Sequence, residues 1–195
     1  MPEQVKPFRY IIPFILSMAA LVFAGPAAAN EPLPKARVET SMGAFEITLR
    51  PDLAPATVNN FKQYVADGFY DGTVFHRVIP GFMIQGGGFD QQLNRQSTRS
   101  PVENEARPTA KNLRGTIAMA RTQDPDSATS QFFVNLTDNE FLDAGVRGAG
   151  YTVFGKVTEG IGVVDAIAQT PTGRQQGMAD VPEKPVVIRN ITLLP

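Results

Sequence analysis

The 195 residues contain no cysteine and a single histidine, His76. The first absence removes thiol catalysis, thiolate metal sites, disulfides and a lipidated N-terminal cysteine. The second removes any metal site built from several histidines. Charge is sparse and balanced, with 18 Lys and Arg against 19 Asp and Glu and a formal net charge of −1. Such a chain has no electrostatic attraction to nucleic acid or to an anionic membrane. Several nucleotide, metal and nucleophile motifs are also incomplete. Gly150–Lys156 keeps phosphate-loop spacing up to its lysine, but Val157 stands where a Mg²⁺-binding hydroxyl belongs, and the segment reads as a strand. Gly86-Gly87-Gly88 lacks dinucleotide-binding spacing and is expected to allow a sharp turn at a strand end. Asp124-Pro125-Asp126 lacks the glycine and distal glutamate of a calcium loop and reads as a turn. No Gly-x-Ser-x-Gly elbow offers His76 a serine to activate, so a structural histidine is expected and a secreted hydrolase is the weakest reading. The triplets at Asn135 and Asn190 fall in or beside predicted strands and carry little weight as glycosylation signals.

What is present is enough for one domain. Hydrophobic residues make up 43% and charged residues 19%, and no repeat, linker or low-complexity block divides the chain. Lys6 and Arg9 precede an apolar run from Tyr10 to Ala24, followed by Gly25-Pro26 and Ala27-Ala28-Ala29. A positive flank, an apolar centre and a small-x-small ending make residues 1–29 a secretory signal peptide, leaving a body of residues 30–195 outside the cytoplasm. The alternative is an uncleaved anchor, since Tyr10 to Ala29 approaches the length of a membrane span. Pro13 and Gly25-Pro26 interrupt that run.

In the body, Arg37 to Leu49 alternates about a Ser41-Met42-Gly43 turn and predicts a β-hairpin. Pro55 opens a helix with Val58, Phe61 and Val65 on one stripe, closed by Gly68. Phe69 to Ile84 supplies two strands, and residues 86–114 form a long, polar, turn-rich connection. Thr116–Ala120, Phe132–Leu136 and Val153–Val157 read as strands. Gly160–Ala168 reads as a helix with Ile161, Val164 and Ile167 on one side, and Val186–Leu193 as a closing strand. Short strands with two helices predict a mostly β fold, a closed antiparallel barrel with helical caps.

The chemistry concentrates in Phe75–Gly88. Two apolar runs flank Pro80-Gly81, and each aims one polar side chain, Arg77 or Gln85, at a surface of Phe82, Met83 and Ile84. Strand alternation puts Phe75 and Arg77 on one face and His76 and Val78 on the other. An arginine on an apolar face is costly unless something uses it; a salt-bridged or snorkelling side chain is the plainer reading. Later, Gly115–Arg121 and Ser127–Asn135 again set small residues beside an amide side chain and phenylalanines. Asn139–Asp143 and Tyr151–Val157 follow.

Together these stretches resemble the cyclophilin-type peptidyl-prolyl cis-trans isomerases over nearly the whole body, most of all the periplasmic members of Gram-negative bacteria. The resemblance implies an eight-stranded antiparallel barrel capped by two α-helices, with a substrate groove on its outer wall. It matches Arg77 to the family's catalytic arginine and Gln85 to the glutamine beside the substrate carbonyl. Phe82, Met83, Phe133 and Leu142 match the walls of the proline pocket. Ala120, Arg121 and Gln131 match the positions that bind substrate backbone and the residue before proline. Phe141 and Tyr151 also lie at the substrate site, where the best-known eukaryotic members carry Trp and His; these departures bear on drug binding, not on catalysis. The resemblance implies proline-containing unfolded or exported polypeptides as partners, weak cyclosporin binding, no cofactor or metal, and a monomer free of the membrane after cleavage. The runner-up is a non-catalytic peptide-binding chaperone on the same fold.

Overall fold

A computed structural model describes residues 1–4 and 32–195; the segment read as a signal peptide, apart from its first four residues, lies outside the described residues. The body begins with β1 (Lys35–Thr40) and β2 (Gly43–Leu49), the expected hairpin. Ala36, Val38, Phe45, Ile47 and Leu49 are buried at alternate positions, as a half-buried strand requires. The Thr40 hydroxyl accepts the Met42 N–H at 3.0 Å and donates to the Gly43 carbonyl at 2.7 Å, which pins the turn.

Helix α1 (Pro55–Ala66) starts on proline and buries Val58, Phe61 and Val65 as expected, with Tyr64 beside them. Ala54 cannot cap it by side chain. Glu105 does so from the long loop, accepting the Ala56 and Thr57 N–H groups at 3.1 and 2.7 Å. The loop also donates the Arg99 N–H to the Tyr64 hydroxyl at 2.8 Å. The long connection is therefore a structural part whose pairing partners lie far away in sequence.

β3 (Phe75–Ile79), β4 (Met83–Gly86), β5 (Thr116–Met119), β6 (Phe132–Asn135), β7 (Val153–Glu159), α2 (Ile161–Ala168), β8 (Thr172–Gln175), β9 (Met178–Pro182) and β10 (Ile188–Leu194) complete the body. The β8–β9 hairpin goes beyond the elements the sequence pattern predicts: its residues give no strand alternation, and only Gln176-Gly177, both at positive φ, marks its turn. In α2 the packed side is Val164, Ile167 and Ala168, while Ile161 at the first turn is exposed.

The main sheet runs β10-β1-β2-β7-β5-β6-β4-β3 and is antiparallel throughout. The expected closed barrel is not what forms. The sheet is an open half-barrel: β3 and β10 form no continuous ladder, and their starts are joined by the isolated bridge of Val74 with Val187 and by three backbone hydrogen bonds, Gly72 N–H to Ile188, Ile188 N–H to Thr73 and Phe75 N–H to Val186. Pro185, just before the junction residue Val186, has no N–H to extend the pairing, and β9 lies alongside β3. Inside the curve is the main core, including Phe45, Phe61, Tyr70, Phe75, Phe132 and Phe154. Outside lies a smaller apolar cluster of Met83, Ala118, Phe133, Leu142 and Val153, flanked by Phe82, Ala120 and Tyr151.

Candidate active site

The outer cluster owes its composition to strand alternation and to one bulge. On β4, Met83 and Gln85 face outward, so Ile84 faces the inner core and not the surface expected for it. On β6 the same rule buries Phe132 and Val134 inside and turns Phe133 out. β3 breaks the rule. Phe75 pairs with Gly86 and Arg77 with Gln85, which leaves His76 as an extra residue. Phe75 and Arg77 therefore lie on opposite faces, and His76 lines the same outer cleft as Arg77. One inserted residue inverts the alternation beyond it, which re-aims the following side chain.

Nine of the side chains singled out from sequence line one pocket of about 120 Å³: Arg77, Phe82, Met83, Gln85, Ala120, Arg121, Phe133, Leu142 and Tyr151. Gln131 lines an adjoining cleft of about 460 Å³, which shares Arg77, Gln85, Ala120 and Arg121 with the first. Phe141 does not line the pocket. It stands on the rim, 40% exposed, stacked on Phe82 at 5.6 Å with the Arg147 guanidinium 5.4 Å from its ring centre. Its place in the turn Glu140–Leu142 sends Leu142 inward and Phe141 outward.

The polar groups are held by short, identifiable contacts. Gln85 donates through Nε2 to the Gln131 Oε1 at 2.9 Å, which ties the two clefts together. Gln131 lies directly over Gly88, where any Cβ would come within 2.4 Å of its side chain. The triple glycine is thus needed for close approach as much as for a turn, and only Gly87 of the three has positive φ. Arg121 donates through Nε to the Gly150 carbonyl at 3.0 Å, and its guanidinium lies 4.4 Å from the centre of the Tyr151 ring. Arg77 makes no hydrogen bond to a described residue; its Nε is 3.8 Å from Asp180 Oδ2. Burial pushes the neighbouring His76 down to about 4, and the Arg77 charge acts in the same direction. Its Nδ1 has no partner among the described residues, so it is a buried neutral ring and not a base poised on a hydroxyl.

An apolar pocket with an amide at its edge, and a guanidinium there that makes no hydrogen bond to a described residue, can hold a proline ring and present a donor to its imide nitrogen. Residues 35–193 match the family model for cyclophilin type peptidyl-prolyl cis-trans isomerases. The chain belongs to this family. It is similar to peptidyl-prolyl cis-trans isomerase A of Dickeya dadantii, 47% identical over 186 residues that cover 95% of this chain and 98% of that protein. It is also similar to peptidyl-prolyl cis-trans isomerase B of Escherichia coli K12, 49% identical over 157 residues, 79% of this chain and 96% of that protein. A cyclophilin of Cryptosporidium parvum, solved in the presence of the dipeptide Ala-Pro, matches with a TM-score of 0.69 at 25% identity, covering 83% of this chain and 99% of that one. The activity of this cyclophilin is peptidyl-prolyl cis-trans isomerisation.

Sequence reasoning missed the support beneath the pocket. Asn139 donates to the Phe82 carbonyl at 3.0 Å and to Asn135 Oδ1 at 2.7 Å. Asn135 passes this on to Thr116 Oγ1 at 2.9 Å and Asn112 Oδ1 at 3.3 Å. Asn112 in turn donates to the Leu142 carbonyl at 3.2 Å and through its backbone to Asp143 at 2.7 Å. This buried amide chain fixes two pocket walls, Phe82 and Leu142, in one rigid unit. Burial raises the Asp143 carboxyl, but hydrogen bonds from Asn112 and Lys111 outweigh it and hold the group below the usual carboxylate range. Asn112, Asn135 and Asn139 are scattered single asparagines with no local pattern, and asparagine is equally common in turns.

Proposed function

We propose that Arg77 is the catalytic group of this isomerase and that Phe82, Met83, Phe133 and Leu142 hold the proline ring. The observation that carries the reading is the Arg77 guanidinium, without a hydrogen bond to any described residue, at the edge of that pocket beside Gln85. An X-Pro bond resists rotation because nitrogen donates its lone pair into the carbonyl, with a barrier of about 18–20 kcal/mol. Twisting localises the lone pair, which then accepts a hydrogen bond. A donor held there stabilises the twisted state over either planar one. Arginine stays charged and carries its donors on a rigid fork. Gln85, Ala120, Arg121 and Gln131 hold the substrate backbone on one side while the other rotates. Tyr151 closes the pocket mouth beside Phe133, their rings 5.8 Å apart and edge to face. Raising a rate of about 0.01 per second to about 10 per second takes about 4 kcal/mol, within reach of one charge-assisted hydrogen bond plus orientation. The chemistry calls for no cofactor or metal. The test is the isomerisation rate of a proline peptide with the wild type and with Arg77→Ala; equal rates would reject the assignment in favour of a peptide-binding chaperone.

The same reading makes the protein an exported one that acts as a monomer on unfolded proline-containing chains in a Gram-negative periplasm. Lys6, Arg9, the apolar run and Ala27-Ala28-Ala29 support it. The exported protein is expected to begin at or near Asn30. N-terminal sequencing of periplasmic material checks this, and Met1 retained in a membrane fraction would favour an anchor.

Cyclosporin is expected to inhibit weakly. Phe141 offers no indole N–H, and the chain has no tryptophan to supply one. Losing a hydrogen bond at a desolvated interface costs about 1–3 kcal/mol, so Phe141→Trp should tighten inhibition by about tenfold or more. Equal inhibition constants for wild type and variant would sink the argument.

A further inference from the structure

We propose that Asp180, on the β8–β9 hairpin, is a positioning residue that orients the Arg77 guanidinium; this rests on Arg77 being the catalytic group. Three features converge on it. Asp180 Oδ2 lies 3.8 Å from Arg77 Nε, and this is the one carboxylate paired with Arg77 among the described residues. Asp180 lines the cleft of about 460 Å³ together with Arg77, Gln85 and Gln131. And its backbone is held at φ +60, one of three non-glycine residues at positive φ among the described residues.

The third feature shows that the fold is bent to place this side chain. Across the hairpin, Gly173 pairs with Val181 and Gln175 with Met178, so β9 carries one residue more than β8 in that interval. This is a bulge, and its left-handed position would suit glycine at least cost. Aspartate stands there instead. Facing it is the bulge of β3 that turns Arg77 outward. Two irregularities on adjacent strands therefore bring one cation and one anion to the same cleft. Both side chains are about two-fifths exposed, at 43% and 42%, so the pair adds little to folding stability. Its effect falls on geometry. At 3.8 Å the two make no hydrogen bond, so the carboxylate acts by charge: it draws the Nε side of the guanidinium toward β9 and leaves the terminal nitrogens available to a substrate nitrogen. A peptide lying over the cleft excludes water and strengthens the pair at the moment it is needed.

The experiment uses Asp180→Asn and Asp180→Gly in the full chain, each with Arg77 intact and with Arg77→Ala, and reads peptide isomerisation, peptide affinity and thermal unfolding. Both substitutions suit a left-handed backbone, and Asp180→Gly relieves it, so melting temperature should hold or rise. With Arg77 present, kcat/KM should fall between about threefold and tenfold through kcat, with peptide affinity little changed. Asp180→Glu should restore part of the loss. In the Arg77→Ala background the same substitutions should have no further effect, because a group acting only through Arg77 has nothing left to orient. Equal fold losses in both backgrounds would overturn the proposal and make Asp180 a direct substrate contact or a structural residue. Undiminished or increased turnover in Asp180→Asn would overturn it too. If Arg77→Ala alone leaves turnover intact, the assignment of Arg77 fails first, so the two failures are distinguishable.

Discussion

Arg77→Ala should slow isomerisation of a proline peptide by at least about tenfold, and by as much as several orders of magnitude, because the lost interaction exists mainly in the twisted transition state. The pocket of Phe82, Met83, Phe133 and Leu142 remains, since the amide chain from Asn112 to Asn139 holds Phe82 and Leu142, and the pairing of β4 with β6 holds Met83 and Phe133, none of it through Arg77. Peptide affinity should therefore change much less than turnover. Stability should stay within about 1 kcal/mol, because a partly exposed ion pair at 3.8 Å contributes little. Arg77→Lys should rescue little, since a compact ammonium cannot reproduce the planar fork. Isomerisation rate, peptide binding and thermal unfolding measured on the three proteins separate these outcomes. Near-normal rates for Arg77→Ala would transfer the site to the peptide-binding chaperone reading.

Acidification should destabilise the fold through His76 before most carboxylates respond. The ring is 5% exposed, sits 4.6 Å from the Phe89 ring, and is held neutral with its titration lowered to about 4 by burial and the adjacent Arg77 charge. In the unfolded chain a histidine takes up its proton near pH 6.5. Between these values the unfolded state binds more protons than the folded one, so stability falls as pH drops from 6.5 towards 4 and is flat above 6.5. At about 1.4 kcal/mol per unit, the loss between pH 7 and 5 is about 2 kcal/mol, and about 3 kcal/mol by pH 4. His76→Phe keeps a ring against Phe89 and should remove the dependence between pH 7 and 5. Denaturant unfolding at the two pH values measures the loss. Because the chain has one histidine, its imidazole resonance reports the same group directly. An imidazole titrating near 6.5, or equal stability at pH 7 and 5, would rule this out.

Much of the pocket was legible because the sequence states it in local units. Met83 with Gln85, and Phe133 between Phe132 and Val134, follow from alternation alone. The helix stripe of Val58, Phe61 and Val65 follows from its spacing. The family resemblance added that these units belong to one groove.

Other features could not be read in this way. A bulge is invisible to alternation, since alternation is what it breaks; hence the sequence pattern puts Phe75 and Arg77 on one face while the fold separates them. The β8–β9 hairpin has no apolar alternation because much of it faces solvent or the cleft. Whether the sheet closes depends on the register of β3 against β10, elements more than 100 positions apart, and on what else takes that edge. The cap on α1 comes from Glu105, and the support for Phe82 comes from Asn139.

By itself, then, the sequence determined the residue types of the site and the strands that carry them, because period-2 and period-3.6 patterns are properties of consecutive residues. Only the tertiary structure decided which face each side chain emerges on, which distant groups hold it there, and that Arg77 stands opposite Asp180. Those outcomes depend on register and bulges between strands, and register is an energy of the assembled sheet, not of any one segment.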